Sequence, residues 1–320
     1  MLYILFIFIG VAFARAPVPR SQQETELFRR YIDDTRAEHD TTLEERMAAS
    51  PKAKAWENSG RYEGDVLLGQ KEAEQLVQSY SSRNAYIWPD SKWPQNTIVY
   101  EFTDGEFDEA QQSAILAAIQ DIEENTCIRF RERRPGEEVY VRLTGYPDGC
   151  YANIGYWAER GPHIYNLAKQ EPGRGCFRHT TIVHEWMHII GFMHMQSTYN
   201  RDDYVKVHWE NIQRGTEFNF DGYTSEIVDN LGVPYEYASN MHYGPYAFSS
   251  NGEPTLVGYH NKMGQQEYVT PWDWLRVNRH YNCPGAWDTA DINSIFNYFL
   301  NKKLVPSAPT FMFDILQELC

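Results

Sequence analysis

The chain has 320 residues and a net charge of −15 at pH 7, and its composition is 42% hydrophobic and 15% aromatic. This length is sufficient for one or two globular domains, and so apolar a composition excludes an intrinsically disordered chain. The excess of acidic residues argues against binding to nucleic-acid phosphates, so we expect no nucleic-acid partner.

The N-terminus carries a short apolar run, residues 2–13, which ends near Ala14, Arg15 and Ala16. A run of this length before small residues is typical of a secretory signal peptide, and we predict one at residues 1–16. The run is too short to cross a bilayer, although a retained N-terminal anchor is the alternative. We therefore expect a secreted, extracellular protein without stable membrane insertion.

Between residues 17 and 144 the sequence predicts two helices, then a strand, a third helix and two further strands. Ile115, Ile119 and Ile122 share one apolar stripe of an amphipathic helix. Period-two alternation and β-branched residues mark the strands. The predicted helices cover residues 24–38, 70–79 and 107–124, and the predicted strands cover residues 97–102, 128–130 and 139–144.

A predicted helix late in the chain begins at Thr270, with Pro271 in its first turn and Asp273 at the position of a capping box.

The chain has five cysteines, and disulfides are expected because a secreted chain folds in an oxidising compartment. Four cysteines allow three pairings, and the residues alone do not choose among them. The cysteines are Cys127, Cys150, Cys176, Cys283 and Cys320.

A His-Glu-x-x-His motif, followed by a glycine and a third histidine, is the most informative segment of the chain. His184 and His188 are four residues apart, so on a helix they lie on the same face. Gly191 can adopt positive φ and end the helix, which allows the chain to bring His194 back as a third ligand. We expect Thr180 or Thr181 to be the N-cap of this helix.

Three imidazole ligands leave a fourth position open to water, which is the mark of a catalytic zinc site rather than a structural one. Bound zinc lowers the pKa of water to about 7, and Glu185 lies beside the ligands as a general base. The spacing alone does not exclude another transition metal. We predict one Zn²⁺ per chain, held by His184, His188 and His194.

Residues around this motif indicate a family. Phe192 follows the glycine, Arg201 and Asp202 lie past the third histidine, and Met241 and Tyr243 belong to the segment Ser-Asn-Met-His-Tyr. Together they resemble the astacin family of zinc endopeptidases, from the segment before the enzyme domain to Cys283. Matrixins share the three-histidine motif, but they usually carry leucine after the glycine and a cysteine in the propeptide. This chain has no cysteine before Cys127.

The resemblance implies an α+β metzincin fold: a catalytic domain of two subdomains, with a mixed sheet that has an edge strand for substrate, a zinc helix, and a preceding propeptide. It places Met241 in a turn beneath the zinc. It makes Tyr243 a fifth ligand that swings away to stabilise the transition state. It also makes Asp65, in Tyr-Glu-Gly-Asp, a zinc ligand of the zymogen only. The disulfide pairs that it implies are Cys127–Cys283 and Cys150–Cys176.

The resemblance also divides the chain into a signal peptide at 1–16, a propeptide at 17–83, a catalytic domain at 84–283 and a short C-terminal tail at 284–320. Arg83–Asn84 looks like an activation site for a trypsin-like protease. Residues 163–167 match the family's substrate-binding edge strand. There we expect Ile164, Tyr165 and Asn166 to pair with an extended peptide substrate.

One position departs from the family pattern. Met195 stands where relatives carry a glutamate that anchors the new N-terminal amine after activation. Methionine cannot accept that contact, so we expect that the N-terminus near Asn84 is not held as in the family. It is either exposed to solvent or paired with another acid, for which Asp202 and Asp203 are the first candidates. The function implied is a secreted zinc endopeptidase made as a zymogen. The alternative is a non-catalytic binding protein with the same fold, against which the intact Glu185 argues.

Overall fold

The computed structural model describes residues 20–38, 40–82, 91–223 and 228–287. The predicted signal peptide, the Arg83–Asn84 site, Cys320 and the chain from residue 288 lie outside these residues. The helices are α1 (Gln22–Arg36), α2 (Leu43–Ala49), α3 (Gln70–Ser82), α4 (Glu109–Asn125), α5 (His179–Ile190) and α6 (Pro271–His280). The strands are β1 (Thr97–Phe102), β2 (Arg129–Glu132), β3 (Val141–Thr144), β4 (Cys150–Ala152), β5 (His163–Leu167), β6 (Val205–Val207) and β7 (Leu256–Gly258).

The larger sheet has five strands in the order β2-β1-β3-β5-β4. Strands β2, β1, β3 and β5 run parallel, and β4 pairs antiparallel with β5 at one edge. The sheet is therefore mixed, as predicted. Strands β6 and β7 form a separate antiparallel pair in the second half of the domain.

The prediction that residues 163–167 form the edge strand is wrong. These residues form β5, which lies between β3 and β4, and Tyr165 pairs with both Leu143 and Ala152. The Tyr165 ring is fully buried and stacks on Trp186 at 4.4 Å between ring centroids. The edge strands are β2 and β4, and β4, the neighbour of β5, has three residues and is too short to show a period-two pattern.

The three predicted substrate-binding residues make contacts within the fold instead, through the side chains of Tyr165 and Asn166 and the backbone of Ile164. The hydroxyl of Tyr165 donates to the main-chain oxygen of Ile182 in the zinc helix. The amide of Asn166 is buried and bonds the backbone at Tyr146. The backbone N–H of Ile164 donates to the side chain of Asn153. These contacts join the sheet to its neighbours and leave no edge for a peptide at β5.

Helix α4 packs its apolar stripe against the sheet, with Ile115, Ala118 and Ile122 fully buried. Asp108 caps the helix, and its side chain accepts the backbone N–H of Gln111. Thr270 opens α6 with a capping box and Pro271 in the first turn, as predicted. These polar caps satisfy helix-end N–H groups that packing would otherwise leave without partners.

Helix α5 is buried from Thr180 to Ile190, whereas His179 is exposed, and the helix starts two or three residues earlier than predicted. Its N-cap is Arg178, which makes no side-chain capping bond, and Thr180 and Thr181 lie inside the helix. The hydroxyl of Thr180 donates to the main-chain oxygen of Gln266, so a tertiary contact replaces the expected cap. Gly191 ends the helix at φ 118°, a conformation that side chains rarely adopt.

Two disulfides connect parts of residues 91–287, which lie within the predicted catalytic domain. Cys127 pairs with Cys283 across 156 residues of chain, with 5.5 Å between their Cα atoms. Cys150 pairs with Cys176, with 5.4 Å between Cα atoms, and so joins β4 to the segment that leads into α5. Both pairs are the ones that the family resemblance implied. They restrict the unfolded chain and hold the segments around the zinc helix together.

Residues 20–82, here called the N-terminal segment, pack on the catalytic domain through a second apolar core. Phe28 and Ile32 of α1 meet Leu76 and Val77 of α3 in this core. Between α2 and α3 the segment is extended, and Val66 bridges Ala152 of the edge strand in parallel orientation. The main-chain oxygen of Asp65 accepts the N–H of Ala152, and Leu67 N–H donates to the Ala152 oxygen. The N-terminal segment therefore covers the open edge of the sheet.

A buried ion pair also joins the N-terminal segment to the catalytic domain. A guanidinium nitrogen of Arg61 lies 2.6 Å from the Asp148 carboxylate, and the group lies over the ring of Tyr151. The same side chain donates to the main-chain oxygens of Thr35 and Ala37. The two terminal guanidinium nitrogens therefore have acceptors, which offsets part of the cost of burying the charge, whereas Nε of Arg61 has no partner among the described residues.

Candidate metal centre and active site

Three histidines and an aspartate meet at the centre of the molecule. His184 and His188 lie on one face of α5, and His194 returns to them after the turn at Gly191. Their ligand atoms and those of Asp65 all lie within 4.8 Å of one another. The Asp65 carboxylate lies 2.9 Å, 3.2 Å and 3.3 Å from Nε2 of His184, His188 and His194 respectively. All four side chains are buried.

The other ring nitrogen of each histidine bonds an oxygen, which orients the rings. Nδ1 of His184 lies 2.8 Å from the main-chain oxygen of Asn240, and Nδ1 of His188 lies 2.8 Å from that of Phe192. Nδ1 of His194 lies 2.8 Å from the carboxylate of Glu63. Because Nδ1–H of each ring donates to one of these oxygens, each Nε2 is left as an electron-pair donor facing the centre.

The donor set fits zinc. Three imidazole nitrogens and a carboxylate oxygen are ligands that tetrahedral zinc accepts. With Zn–N bonds of 2.0–2.1 Å, the ligand atoms of a regular tetrahedron are about 3.3–3.4 Å apart. Nε2 of His184 and Nε2 of His194 are separated by 3.3 Å. The four side chains therefore lie at the spacing of a four-coordinate zinc site.

Glu185 lies beside this centre on α5 and is fully buried. Among the described residues, neither of its carboxylate oxygens has a hydrogen-bond partner. Burial, and then the charge of Asp65, raise the pKa of Glu185 well above its ordinary value. A buried carboxylate without a protein partner is costly, so its position next to the ligands points to a chemical role.

Tyr243 and Met241 are buried near the centre, and Tyr243 contacts the third histidine. The Tyr243 hydroxyl donates to the main-chain oxygen of Glu63 at 2.8 Å, and its ring centroid lies 5.0 Å from that of His194. Burial raises the pKa of Tyr243 well above its ordinary value, so this hydroxyl keeps its proton. Met241 is buried, and its main-chain oxygen accepts the N–H of Met195. The turn at Met241 is thereby tied to the segment that follows the third histidine.

The approach of Asp65 depends on the glycine before it. Gly64 has φ 93°, and a Cβ at this position would lie 3.2 Å from Glu57 Cα and 3.2 Å from Trp56 O. Glycine is therefore required both by the backbone conformation and by the close passage of the neighbouring turn. This turn directs the Asp65 carboxylate at the three histidines.

Several contacts that cover the site could not be predicted from the sequence. Trp56 stacks on His184 at 4.1 Å and on His194 at 5.0 Å between ring centroids. Glu57 accepts the N–H of Gly244, and Lys54 donates to the main-chain oxygen of His242. No short motif marks these residues, because each contact joins positions that are far apart in the chain.

The expectation for the mature N-terminus concerns residues outside the described ones. Met195 is buried, and its backbone bonds the turn at Met241. Asp202 is 85% exposed and pairs with Arg201, and Asp203 is also exposed. How the amine of Asn84 is held after cleavage therefore stays a prediction.

A mixed sheet, a helix that carries two of three clustered histidines, and a carboxylate at the fourth ligand position define a zinc metalloendopeptidase. The family model described as Astacin (Peptidase family M12A) matches residues 86–282. The chain belongs to the astacin family, as the sequence motifs indicated. It is a hydrolase that acts on peptide substrates, and its cofactor is zinc.

Individual relatives agree with this assignment. The chain is 36% identical over 232 residues to the zinc metalloproteinase nas-4 of Caenorhabditis elegans, covering 71% of each chain. It is 34% identical over 236 residues to seminal metalloprotease 1 of Drosophila melanogaster, covering 71% of this chain and 88% of that one.

A solved structure shows the same fold. High choriolytic enzyme 1, a hatching enzyme zinc-protease from the medaka fish Oryzias latipes, matches with 30% sequence identity and a TM-score of 0.55. The match covers 62% of this chain and 98% of that chain. This likeness confirms the α+β fold expected from the sequence. Within the described ranges, no helix has the length and apolar character needed to cross a membrane.

Proposed function

We propose that this chain is a secreted zinc endopeptidase synthesised as an inactive zymogen, in which residues 17–83 are the propeptide. The observation that carries the proposal is the position of Asp65, whose carboxylate lies within 3.3 Å of Nε2 on all three histidines. A carboxylate there occupies the fourth position, which a catalytic zinc site keeps open for water. The N-terminal segment thus blocks the reaction at the metal itself.

Zinc, when bound, supplies an activated water and polarises the scissile carbonyl. Glu185 is the general base: it accepts a proton from that water and delivers it to the leaving amine. Its buried carboxylate has no competing hydrogen-bond partner among the described residues. Tyr243 is the donor to the developing oxyanion, and it is available once its bond to the Glu63 carbonyl is released.

The proposed substrate strand is β4 rather than β5. In the precursor, the main chain of Ala152 bonds Asp65 and Leu67. Removal of the N-terminal segment leaves the N–H and C=O of Ala152 without those partners, and an extended peptide can then add to this edge by backbone hydrogen bonds. The segment that inhibits and the substrate therefore use the same backbone groups.

Activation in this proposal is cleavage at Arg83–Asn84 by a trypsin-like protease. Secretion is supported by the apolar run at residues 2–13 and by the two disulfides, which form in an oxidising compartment.

The test of the proposed function is peptide hydrolysis by the purified precursor before and after treatment with trypsin, with and without a zinc chelator. Hydrolysis that requires both cleavage and zinc supports the proposal. A cleaved, zinc-loaded protein without hydrolysis would instead identify a binding protein.

A further inference from the structure

The three proposed zinc ligands differ in where their second hydrogen-bond partners come from. His184 and His188 bond main-chain oxygens of Asn240 and Phe192, both in the catalytic domain. His194 instead bonds the carboxylate of Glu63, which lies 131 residues earlier, in the N-terminal segment. Cleavage and release of that segment remove this acceptor from His194 and leave the other two in place.

The fold directs the Glu63 carboxylate at His194. Glu63 is 1% exposed, and its backbone has φ 47°, which is uncommon for a residue with a side chain. Its N–H donates to the side chain of Asn219, and its carbonyl accepts the Tyr243 hydroxyl. Two backbone bonds to the catalytic domain therefore hold Glu63 in a conformation that the isolated chain seldom adopts. The carboxylate itself lies 2.8 Å from Nδ1 of His194.

A carboxylate bonded to a metal-ligating imidazole fixes the ring orientation and raises the basicity of the ligating nitrogen. Loss of such a partner typically lowers metal affinity about 10–100-fold. A carboxylate also accepts a stronger hydrogen bond than a main-chain carbonyl does, because it is charged. Glu63 therefore acts on zinc through His194, separately from the direct contact that Asp65 makes.

We propose that Glu63 is a positioning residue by which the propeptide strengthens zinc binding, so that the precursor holds zinc more tightly than the mature enzyme does. The inference rests on the proposed zymogen function and extends it. The N-terminal segment then has two roles at one site: Asp65 blocks the open position, and Glu63 stabilises the His194 ligand. Zinc is loaded most favourably before activation.

The test is the rate at which zinc leaves the purified precursor, measured with an excess of a chromogenic chelator. Glu63→Ala is expected to release zinc about 10–100-fold faster than the parent. Glu63→Gln keeps an amide oxygen that can accept the Nδ1 proton, so its rate is expected to lie between those two. Comparison of the parent, Glu63→Gln and Glu63→Ala shows whether the charge of Glu63 or its hydrogen bond to His194 slows zinc release.

Glu72→Gln is the matched control. Glu72 is a buried carboxylate of the same segment, but it pairs with Arg160 and does not contact a histidine of the centre. The Glu72→Gln variant measures how much faster zinc is released when the N-terminal segment binds the catalytic domain less tightly but Glu63 is intact. After cleavage and removal of the segment, every variant gives a mature enzyme of identical sequence, so their release rates must agree.

Faster release from Glu63→Ala than from Glu72→Gln supports the inference. Equal release from the two variants, or release from Glu63→Ala at the rate of the parent, overturns it. If Glu63→Ala does not fold, Glu63→Met decides on the same criterion, because its side chain is of similar size but does not replace the carboxylate as an acceptor for Nδ1–H of His194. Failure of the proposed function looks different: the cleaved parent would show no zinc-dependent peptide hydrolysis, whatever the precursor's release rate.

Discussion

The hydroxyl of Tyr243 donates to the main-chain oxygen of Glu63 across 180 residues of chain, at 2.8 Å. The group proposed to stabilise the transition state is therefore held by the segment that must be removed. The same turn of that segment places Glu63 on His194 and Asp65 on all three histidines. One short stretch of chain thus engages the metal position, a ligand and the proposed oxyanion donor together.

Replacing Glu185 with glutamine should abolish most hydrolysis by the cleaved enzyme. The amide has nearly the same shape but cannot accept the proton of the attacking water, and loss of a general base costs about 10²–10⁴-fold in rate. The measurement is kcat with a peptide substrate, together with the zinc content of the variant. A zinc-loaded Glu185→Gln enzyme with the activity of the parent would remove this residue from the mechanism.

Tyr243→Phe is expected to lower kcat of the cleaved enzyme about 10²–10³-fold, the usual effect of removing one oxyanion donor. KM should change little, because the donor acts mainly in the transition state. Steady-state kinetics with one peptide substrate separate the two parameters. An increase in KM at constant kcat would show that Tyr243 binds substrate and does not stabilise the transition state.

Mature forms that begin at Asn84, and forms that carry a few extra residues, should have similar activity and similar melting temperatures. The reason is Met195, which has no charge with which to hold a buried N-terminal amine. Both properties can be measured on forms made by cleavage at defined positions. A marked loss in the extended forms would show that another acid holds the amine, and Asp202 and Asp203 would be examined first.

The zinc ligands could be predicted because their spacing is local: His184 and His188 share a helix face, and the turn at Gly191 returns His194. Strand β1 has the predicted bounds, since its alternation is also a local property. These features depend only on residues that are close to one another in the sequence.

The predictions that the structure corrects concern features that depend on contacts between distant parts of the chain. The prediction of β5 as the edge strand is wrong because a strand's own residues do not determine its neighbours in the sheet. The predicted cap of α5 is wrong because the Thr180 hydroxyl donates to the main-chain oxygen of Gln266 instead. Trp56 and Glu63 could not be assigned roles, since both act on histidines more than a hundred positions later.

The central claim is that Asp65 silences the precursor, and the most direct measurement is peptide hydrolysis by uncleaved Asp65→Ala protein. Without the carboxylate, water can occupy the fourth position while the N-terminal segment is still attached. We predict measurable hydrolysis by this intact variant, sensitive to a zinc chelator, while the parent precursor is inactive. Asp148→Asn, which weakens the ion pair with Arg61 away from the metal, is the control for looser binding of the segment. An intact Asp65→Ala precursor as inactive as the parent would contradict the account, because latency would then come from coverage of the edge strand alone.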